Sequence, residues 1–261
     1  MTIQNAIDAI VSAIPEAPYP DTVDVFKTGD PSHKLTGIVT TFLTNYGVVE
    51  RAAQLGANLI ITHEPTFYDH RDKTDWLKGN TVYQAKRQLI DAHQIAIWRF
   101  HDYLHTLQPD PTVMGLLQEL EWEGYAHPEM PGLCQIPPMP LLEVVGSFKE
   151  KLGLGPVRFI GDPEMTCRGV ALAVGSPGPE WQIKILEEES VDVLVTGEIN
   201  EWNTSEYTRD ALLLGQKKAL VVIGHAASEE AGMRWIIPWL QSRLPGIPIT
   251  FVPVNSPFKW A

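Results

Sequence analysis

Several histidines of this sequence follow apolar, β-branched segments, at the points where buried strands would end. His63 and Glu64 come directly after the run Ala57-Asn58-Leu59-Ile60-Ile61-Thr62, and Pro65 then stops the strand because proline cannot donate to a sheet ladder. Imidazole nitrogens and carboxylate oxygens are ligands of divalent metal ions. At the carboxyl edge of a parallel sheet, where ligands usually bind, they would form a metal site. For this segment alone, an ordinary polar turn after a strand is an equal alternative.

Two further pairs of such side chains stand four residues apart. His225 and Glu229 follow one apolar segment, and His101 and His105 follow another. On a helical turn, residues i and i+4 share one face and can chelate one ion. For the first pair, the alternative is a helix N-terminus whose acidic residues complement the helix dipole. The recurrence at several strand ends, with His70 as a less clear case, favours a metal site over chance.

Neighbouring side chains on an extended backbone point in opposite directions, so His63 and Glu64 should not grip one ion in the same way. They would instead flank or bind two neighbouring ions. Two divalent ions with two carboxylates and a bridging hydroxide would retain about one uncompensated positive charge. That charge would acidify bound water and polarise a phosphoryl or carbonyl oxygen.

The elements that would position these residues alternate between strand and helix. Apolar periodicity predicts helices at 3–14, 48–55, 81–93, 110–121, 141–152, 180–189, 204–214 and from 225 through 233, and strands at 22–26, 37–43, 57–62, 95–100, 169–176, 191–198, 219–225 and 247–254. Short strand-helix-strand connections imply parallel pairs. The Pro- and Gly-rich residues 124–140 predict a linker. We therefore expect an α/β protein with two similar domains and mostly parallel sheets.

The expected domains are 1–126 and 127–261, with residues from about 218 to 261 able to pack back onto the first. The two halves are similar in sequence pattern: Thr62-His63-Glu64 corresponds to Thr196-Gly197-Glu198, each after a strand. The next strand of each half ends in a pair of candidate ligands four residues apart. An internal duplication would place two ligand sets at facing strand ends, with the metal site between the domains.

Composition and charge limit the classes of partner. The chain has 261 residues, 44% of them apolar, and a formal charge of −12, which argues against a nucleic-acid backbone or an anionic membrane as the main partner. No apolar stretch approaches the eighteen or so residues of a membrane span, and the N-terminus lacks the features of a signal peptide. The two cysteines form no CxxC motif, so no disulfide framework or thiolate zinc site is indicated. We expect a cytoplasmic protein.

Four motifs in order along the chain resemble the Nif-three-like family, which comprises dinuclear-metal-centre hexameric proteins often labelled type 2 GTP cyclohydrolase I homologues. The motifs are Gly-Ala-Asn-Leu-Ile-Ile-Thr-His-Glu-Pro, Phe-His-Asp-Tyr-Leu-His, Val-Thr-Gly-Glu and Ile-Gly-His-Ala-Ala-Ser-Glu-Glu-Ala-Gly. The resemblance implies a homohexameric ring, two divalent ions (Zn, Fe, Mn or Ni) and a small-molecule substrate of the nucleotide or phosphoester class.

The family's usual pattern is His-His-Pro, then His-Thr-Asn-Leu-Asp, then His-x-x-x-Glu. By position, His63, His225 and Glu229 match its ligands, whereas Glu64 replaces the second histidine and His105 replaces the aspartate. Because imidazole and carboxylate have changed places, the set still holds three histidines and two carboxylates. The resemblance also suggests two residues that orient a ligand or water, His101 and Glu198.

The sequence thus leads to a metal-dependent hydrolase in which His63, Glu64, His105, His225 and Glu229 hold two ions and a metal-bridging hydroxide is the nucleophile. A second hypothesis is a metal-binding or regulatory scaffold without turnover, similar to a metallochaperone. A third is a structural α/β module that binds no metal.

Overall fold

The computed structural model describes residues 1–259, which form two compact units. The first comprises Met1–Pro111 and Met233–Val254, and the second comprises Thr112–Gly232 with residues 255–259. Each unit contains a five-stranded, mostly parallel sheet, so the expected α/β class is confirmed. Among the described residues, no helix is long and apolar enough to cross a membrane.

The elements alternate along the chain much as the apolar periodicity predicts. The helices are α1 (Ile3–Val11), α2 (Tyr46–Gln54), α3 (Thr81–Ala92), α4 (Asp102–Thr106), α5 (Pro111–Leu120), α6 (Leu141–Lys151), α7 (Pro179–Glu187), α8 (Thr204–Leu213), α9 (His225–Trp235) and α10 (Ile237–Arg243). The strands are β1 (Phe26–Thr28), β2 (Ile38–Leu43), β3 (Leu59–Glu64), β4 (Ala96–Arg99), β5 (Leu133–Pro140), β6 (Arg158–Ile160), β7 (Thr166–Ala173), β8 (Val193–Thr196), β9 (Ala219–Val222) and β10 (Ile249–Phe251).

The sheet of the first unit has the order β1-β4-β3-β2-β10. Strands β4, β3, β2 and β10 run parallel, and β1 is an antiparallel edge strand beside β4. The sheet of the second unit has the order β5-β7-β8-β9-β6, with β7, β8 and β9 parallel and both edge strands antiparallel. In both units, therefore, the carboxyl ends of three consecutive parallel strands meet at one edge.

Helices cover both faces of each sheet, which explains why the central strands are apolar at nearly every position. In the first unit, Leu59 and Ile61 pack into one cluster with residues of α1 and α10, while Ile60 packs into another with residues of α2 and α3. In the second unit, Val193 and Val195 pack with α5 and α6, whereas their neighbour on β8, Leu194, joins the cluster on the opposite face. The two central strands are therefore fixed by packing on both faces, and each is followed or ended by polar residues, His63 and Glu64 in β3 and Glu198 after β8.

The structure corrects the expected linker at 124–140. Residues 133–140 form the edge strand β5, whose register shifts between Gln135 and Met139. Pro137 and Pro138 lie within this shift, and prolines are tolerated in edge strands and bulges because no ladder partner needs their missing N–H. Helix α5 packs into the core of the second unit, so the unit boundary follows Pro111, fifteen residues before position 126. Strand β6 and helix α10 were not predicted.

Candidate metal centre

His63 is the penultimate residue of β3 and is fully buried. Its Nδ1 lies 3.1 Å from the carbonyl oxygen of Phe100, the first residue after β4. The preceding Thr62 is also buried, and its hydroxyl donates to the carbonyl of Glu64 at 3.0 Å. The strand end is thus held in shape by two local contacts, and the His63 ring is fixed with Nε2 on its far side.

The short helix α4 carries His105, and His101 directly precedes it. The buried Asp24 carboxylate accepts three backbone N–H groups at the start of this helix, from His101 at 2.8 Å, Asp102 at 3.2 Å and Tyr103 at 2.7 Å. Burial raises the pKa of Asp24, although these three hydrogen bonds partly offset that effect. Because an N-terminal carboxylate satisfies donors that would otherwise lack partners, it stabilises so short a helix.

His63, His101 and His105 form a compact imidazole cluster. The ring centroids are 4.8 Å apart for His63 and His101, and 5.0 Å apart for each of the other two pairs. One ring nitrogen from each lies within 4.8 Å of the others. Since zinc binds imidazole nitrogen at about 2.0–2.1 Å, three nitrogens at this spacing are within reach of one ion after a small adjustment.

The outward nitrogens of these rings all contact oxygen. Nδ1 of His101 lies 2.9 Å from Asp102 Oδ1, and Nδ1 of His105 lies 2.9 Å from Asp110 Oδ2, while His63 uses the Phe100 carbonyl. Metal-binding histidines usually donate their second N–H to a carboxylate or carbonyl, which fixes the tautomer. The residues present therefore fit a metal ion that is bound through Nε2.

The electrostatics of His101 and Asp102 support a tightly held pair. Burial lowers the pKa of His101, but hydrogen bonds to Glu64 and Asp102 outweigh it and raise the pKa above its usual value. Burial raises the pKa of Asp102, yet hydrogen bonds from His101, the Val23 amide and the Thr22 hydroxyl lower it to about 2. Asp102 is therefore ionised at neutral pH and can hold the His101 ring in one orientation.

Glu64 ends β3 and contacts a buried cation. Its Oε2 lies 3.2 Å from Nη2 of Arg99, and its Oε1 lies 3.4 Å from Nε2 of His101. The loop after β3 brings His70 to the same end of the sheet, with its ring centroid 5.9 Å from that of His101. Burial, together with the charge of Arg99, lowers the pKa of His70. His70 is thus a neighbour of the imidazole cluster rather than part of it.

In the second unit, His225 is the first residue of α9, Glu229 lies one turn further along, and their side chains touch. Nε2 of His225 lies 3.0 Å from Glu229 Oε2, and Nδ1 lies 3.2 Å from Glu198 Oε1. Glu229 is buried, whereas the Glu198 side chain is 57% exposed. The His225 ring is therefore held in the same way as the His101 ring. Its Nδ1 faces one carboxylate, and its Nε2 lies beside a second carboxylate that can share an ion with it.

Two glycines make room for this pair. A Cβ at Gly175, which has a φ of +66°, would lie 2.2 Å from Glu229 Oε1. A Cβ at Gly197 would lie 2.6 Å from the Gly175 carbonyl oxygen and from the Ser228 hydroxyl. The Ser228 hydroxyl also accepts the Gly175 amide at 2.9 Å and donates to the His225 carbonyl at 2.7 Å. The Gly175 backbone and the Ser228 hydroxyl therefore hold the start of α9 in place.

The structure brings the candidate residues together within each unit. In the first unit, His63, Glu64 and His105 lie at one sheet edge with His101, and in the second, His225 and Glu229 lie with Glu198. Sequence reasoning missed the residues that hold them, among them two buried charged residues, Arg99 and Asp24. Arg99 gave one signal: it is a charged residue at the end of an otherwise apolar strand.

Residues 1–257 match the sequence profile of the family described as Duf34/NIF3 (NGG1p interacting factor 3). The chain belongs to the Duf34/NIF3 family. This confirms the resemblance inferred from the four motifs. A search among curated proteins finds no match.

Solved structures with the Duf34/NIF3 fold are similar to the chain over nearly its whole length. Staphylococcus aureus protein SA1388 is 21% identical with a TM-score of 0.77, and the match covers 100% of this chain and 99% of that one. A Bacillus cereus protein related to NIF3 is 16% identical with a TM-score of 0.77 and the same coverage. TTHA1606 from Thermus thermophilus is 15% identical with a TM-score of 0.66, covering 99% and 100% of the two chains. At these identities, the likeness establishes the fold.

Proposed function

We propose that this Duf34/NIF3 protein is a metal-dependent hydrolase that acts on a nucleotide or another phosphoester. The observation that carries the proposal is a contact shared by four imidazole rings, those of His63, His101, His105 and His225. In each, Nδ1 lies 2.9–3.2 Å from an oxygen of a carbonyl or carboxylate. Metal-binding histidines are usually held in this way.

The proposed ligands of two divalent ions are His63, Glu64, His105, His225 and Glu229. When bound, such ions supply Lewis acidity and lower the pKa of coordinated water. In the first unit, Phe100 and Asp110 hold the rings of His63 and His105 in the tautomer that presents Nε2. Asp102 does the same for His101, and Glu198 does so for His225. In a chain of net charge −12, a cationic centre would also be needed to attract an anionic substrate.

Metal analysis of tag-free protein tests the site. After reconstitution with Zn, Mn or Fe, we expect His63→Ala to weaken binding by more than about 100-fold, beyond the loss that follows removal of an outer-shell partner. His93→Ala, at the exposed end of α3, is the matched control and should bind as the wild type does. Wild-type protein that holds no metal after reconstitution would contradict the proposal.

A hydrolysis panel tests turnover. It should include GTP, other nucleotides and simple phosphoesters, with metal-loaded protein and a chelator-treated sample. We expect chelator-sensitive hydrolysis of one substrate class, and the same loss of rate in His63→Ala. Protein that binds metal but hydrolyses nothing would favour the alternative, a metal-binding or regulatory scaffold, because storage and activation use the same ligands.

We also propose a cytoplasmic homohexamer, on the strength of the motifs that the chain shares with its family. Light scattering coupled to size-exclusion chromatography measures the mass directly, and a mass of one or two chains would contradict the hexamer.

A further inference from the structure

Arg99 is the most deeply buried cation near the imidazole cluster: its side chain has no exposed surface. Its guanidinium makes three contacts. Nε donates to the His63 carbonyl at 3.0 Å, Nη1 donates to the His70 carbonyl, and Nη2 lies 3.2 Å from Glu64 Oε2. One side chain therefore ties together the strand end that carries His63, the loop that carries His70 and the carboxylate of Glu64.

This contact divides the two oxygens of Glu64. Oε2 is engaged by a guanidinium, which stays charged at any accessible pH and orders its donors in a rigid plane. Oε1 points instead towards the imidazole cluster, 3.4 Å from Nε2 of His101. A carboxylate that bridges two ions with one oxygen on each, or that chelates one ion with both oxygens, needs both of them at the metal.

We propose that Arg99 is a positioning residue that makes Glu64 a one-oxygen metal ligand. The inference rests on the proposed metal site. Arg99 withholds Oε2, so Glu64 presents Oε1 alone and neither chelates one ion nor bridges two ions through separate oxygens. Arg99 also offsets the charge of Glu64, so this ligand cancels less of the ion's positive charge. More of the ion's positive charge then remains to act on water or substrate.

The same contact bears on the exchange of ligand types at positions 64 and 105. Replacing Glu64 by histidine would leave a buried guanidinium without its carboxylate, which costs more than the pair contributes. The double substitution Glu64→His with His105→Asp therefore does not restore a compensated site while Arg99 remains. The carboxylate at position 64 and the histidine at position 105 therefore go together with an arginine at position 99.

A four-protein cycle with Co²⁺ as the probe tests this inference: wild type, Arg99→Met, Glu64→Gln and the double variant. Affinity is measured by competition with a chelator, and ligand geometry by the visible absorption of bound Co²⁺. We expect Arg99→Met to change Co²⁺ affinity by about tenfold or more and to change the spectrum, because Glu64 can then offer both oxygens and its full charge. In the Glu64→Gln background, the same substitution should change affinity less than about twofold, because Arg99 acts through Glu64.

Two further variants keep the test decisive. Arg87→Met is the control: it removes a partly buried guanidinium that donates to Asp91 and to the Thr28 hydroxyl, away from Glu64. This variant should bind Co²⁺ as the wild type does. If Arg99→Met does not fold, as judged by its thermal unfolding, Arg99→Lys takes its place. Lysine keeps the charge but donates from a single nitrogen, so it cannot reproduce contacts made from three nitrogens of a rigid plane, and the spectrum should still change.

Three results would overturn the inference. The first is an Arg99 variant, folded, with unchanged affinity and spectrum. The second is an equal loss of affinity with and without the Glu64 carboxylate, which would mean that Arg99 supports the fold alone. In both cases the proposed metal site would stand, because the wild type still binds. The third is a wild type that binds neither Co²⁺ nor Zn²⁺, which would overturn the proposed function as well.

Discussion

The two units build similar strand ends but equip them differently. Strands β4-β3-β2 of the first unit and β9-β8-β7 of the second have the same order and direction, and the pairs Thr62–Arg99 and Thr196–Val222 occupy equivalent register positions. The residue that follows this threonine is His63 in one unit and Gly197 in the other. The first unit thus adds an imidazole and a buried guanidinium where the second has a glycine and an apolar residue.

The atoms packed around position 197 explain this difference. In the second unit, the Gly175 carbonyl and Ser228 occupy the space that a side chain at position 197 would need. The candidate ligands come instead from the start of α9, where His225 and Glu229 lie one turn apart. Two sheets of similar strand order can therefore present candidate ligands from a strand or from a helix, and the space left by neighbouring atoms decides which.

The units also differ in how they hold the loop after the central strand. In the first, the buried Lys86 donates to the carbonyls of Thr44 and Thr66. In the second, the buried Gln182 donates to the Glu198 carbonyl at 2.9 Å and to Thr196 Oγ1 at 3.1 Å. One loop is anchored by a charged side chain and the other by a neutral amide. The largest predicted difference between the units is therefore in how the free energy of unfolding depends on pH.

Burial lowers the pKa of Lys86 to about 8 from an ordinary value of 10.5. Below pH 8 the lysine is charged in the folded and unfolded states alike, and the cost of burying the charge is present in full. As pH rises towards 10, the folded state releases this proton while the unfolded chain retains it, so stability rises. Relative to Lys86→Met, we expect the wild type to gain about 2.5 kcal/mol in free energy of unfolding between pH 7 and pH 10, measured in urea.

Gln182→Met is the matched control for Lys86, because it removes a buried anchor that does not titrate. Its free energy of unfolding should differ from that of the wild type by a constant amount over the same pH range. Parallel pH curves for the wild type and Lys86→Met would show that the lysine is not held charged in a desolvated position.

Gly197→Ala tests the claim that space decides where ligands arise. The added methyl group would overlap backbone and hydroxyl atoms at 2.6 Å, so we expect a loss of about 1–3 kcal/mol in free energy of unfolding. Gly146→Ala in α6, where the added carbon meets open space, should instead gain about 0.5–1 kcal/mol from helix propensity. Equal effects of the two substitutions on urea unfolding would contradict the proposed crowding.

The smallest expected difference concerns the outer carboxylates. Asp110 and Glu198 each face an imidazole Nδ1, but Glu198 is the more exposed, so solvent screens its contact more strongly. We expect Asp110→Asn to weaken Zn²⁺ binding about tenfold and Glu198→Gln about threefold in a chelator competition. The reverse order would mean that the second unit depends more on its outer carboxylate than the first.

Much of the framework was predictable because it depends on local patterns. The apolar runs marked the central strands, and the polar residues after them marked the edge where the candidate ligands lie. The partners of buried charges were not predictable in this way. Arg99 meets Glu64 because β3 and β4 pair in one register, and a shift of one residue would turn Arg99 to the opposite face of the sheet. Strand β5 was missed because its prolines are typical of loops.

Asp24 gives the site a dependence on the start of the chain. It reaches the amides at 101–103 from a segment that precedes the whole sheet, and its neighbour Thr22 donates to Asp102 at 2.8 Å. A shortened protein that began at residue 25 would retain every candidate ligand yet lose the carboxylate that anchors the helix of His105. Anyone who trims this protein for crystallisation or fusion should therefore treat its first 24 residues as part of the candidate metal centre.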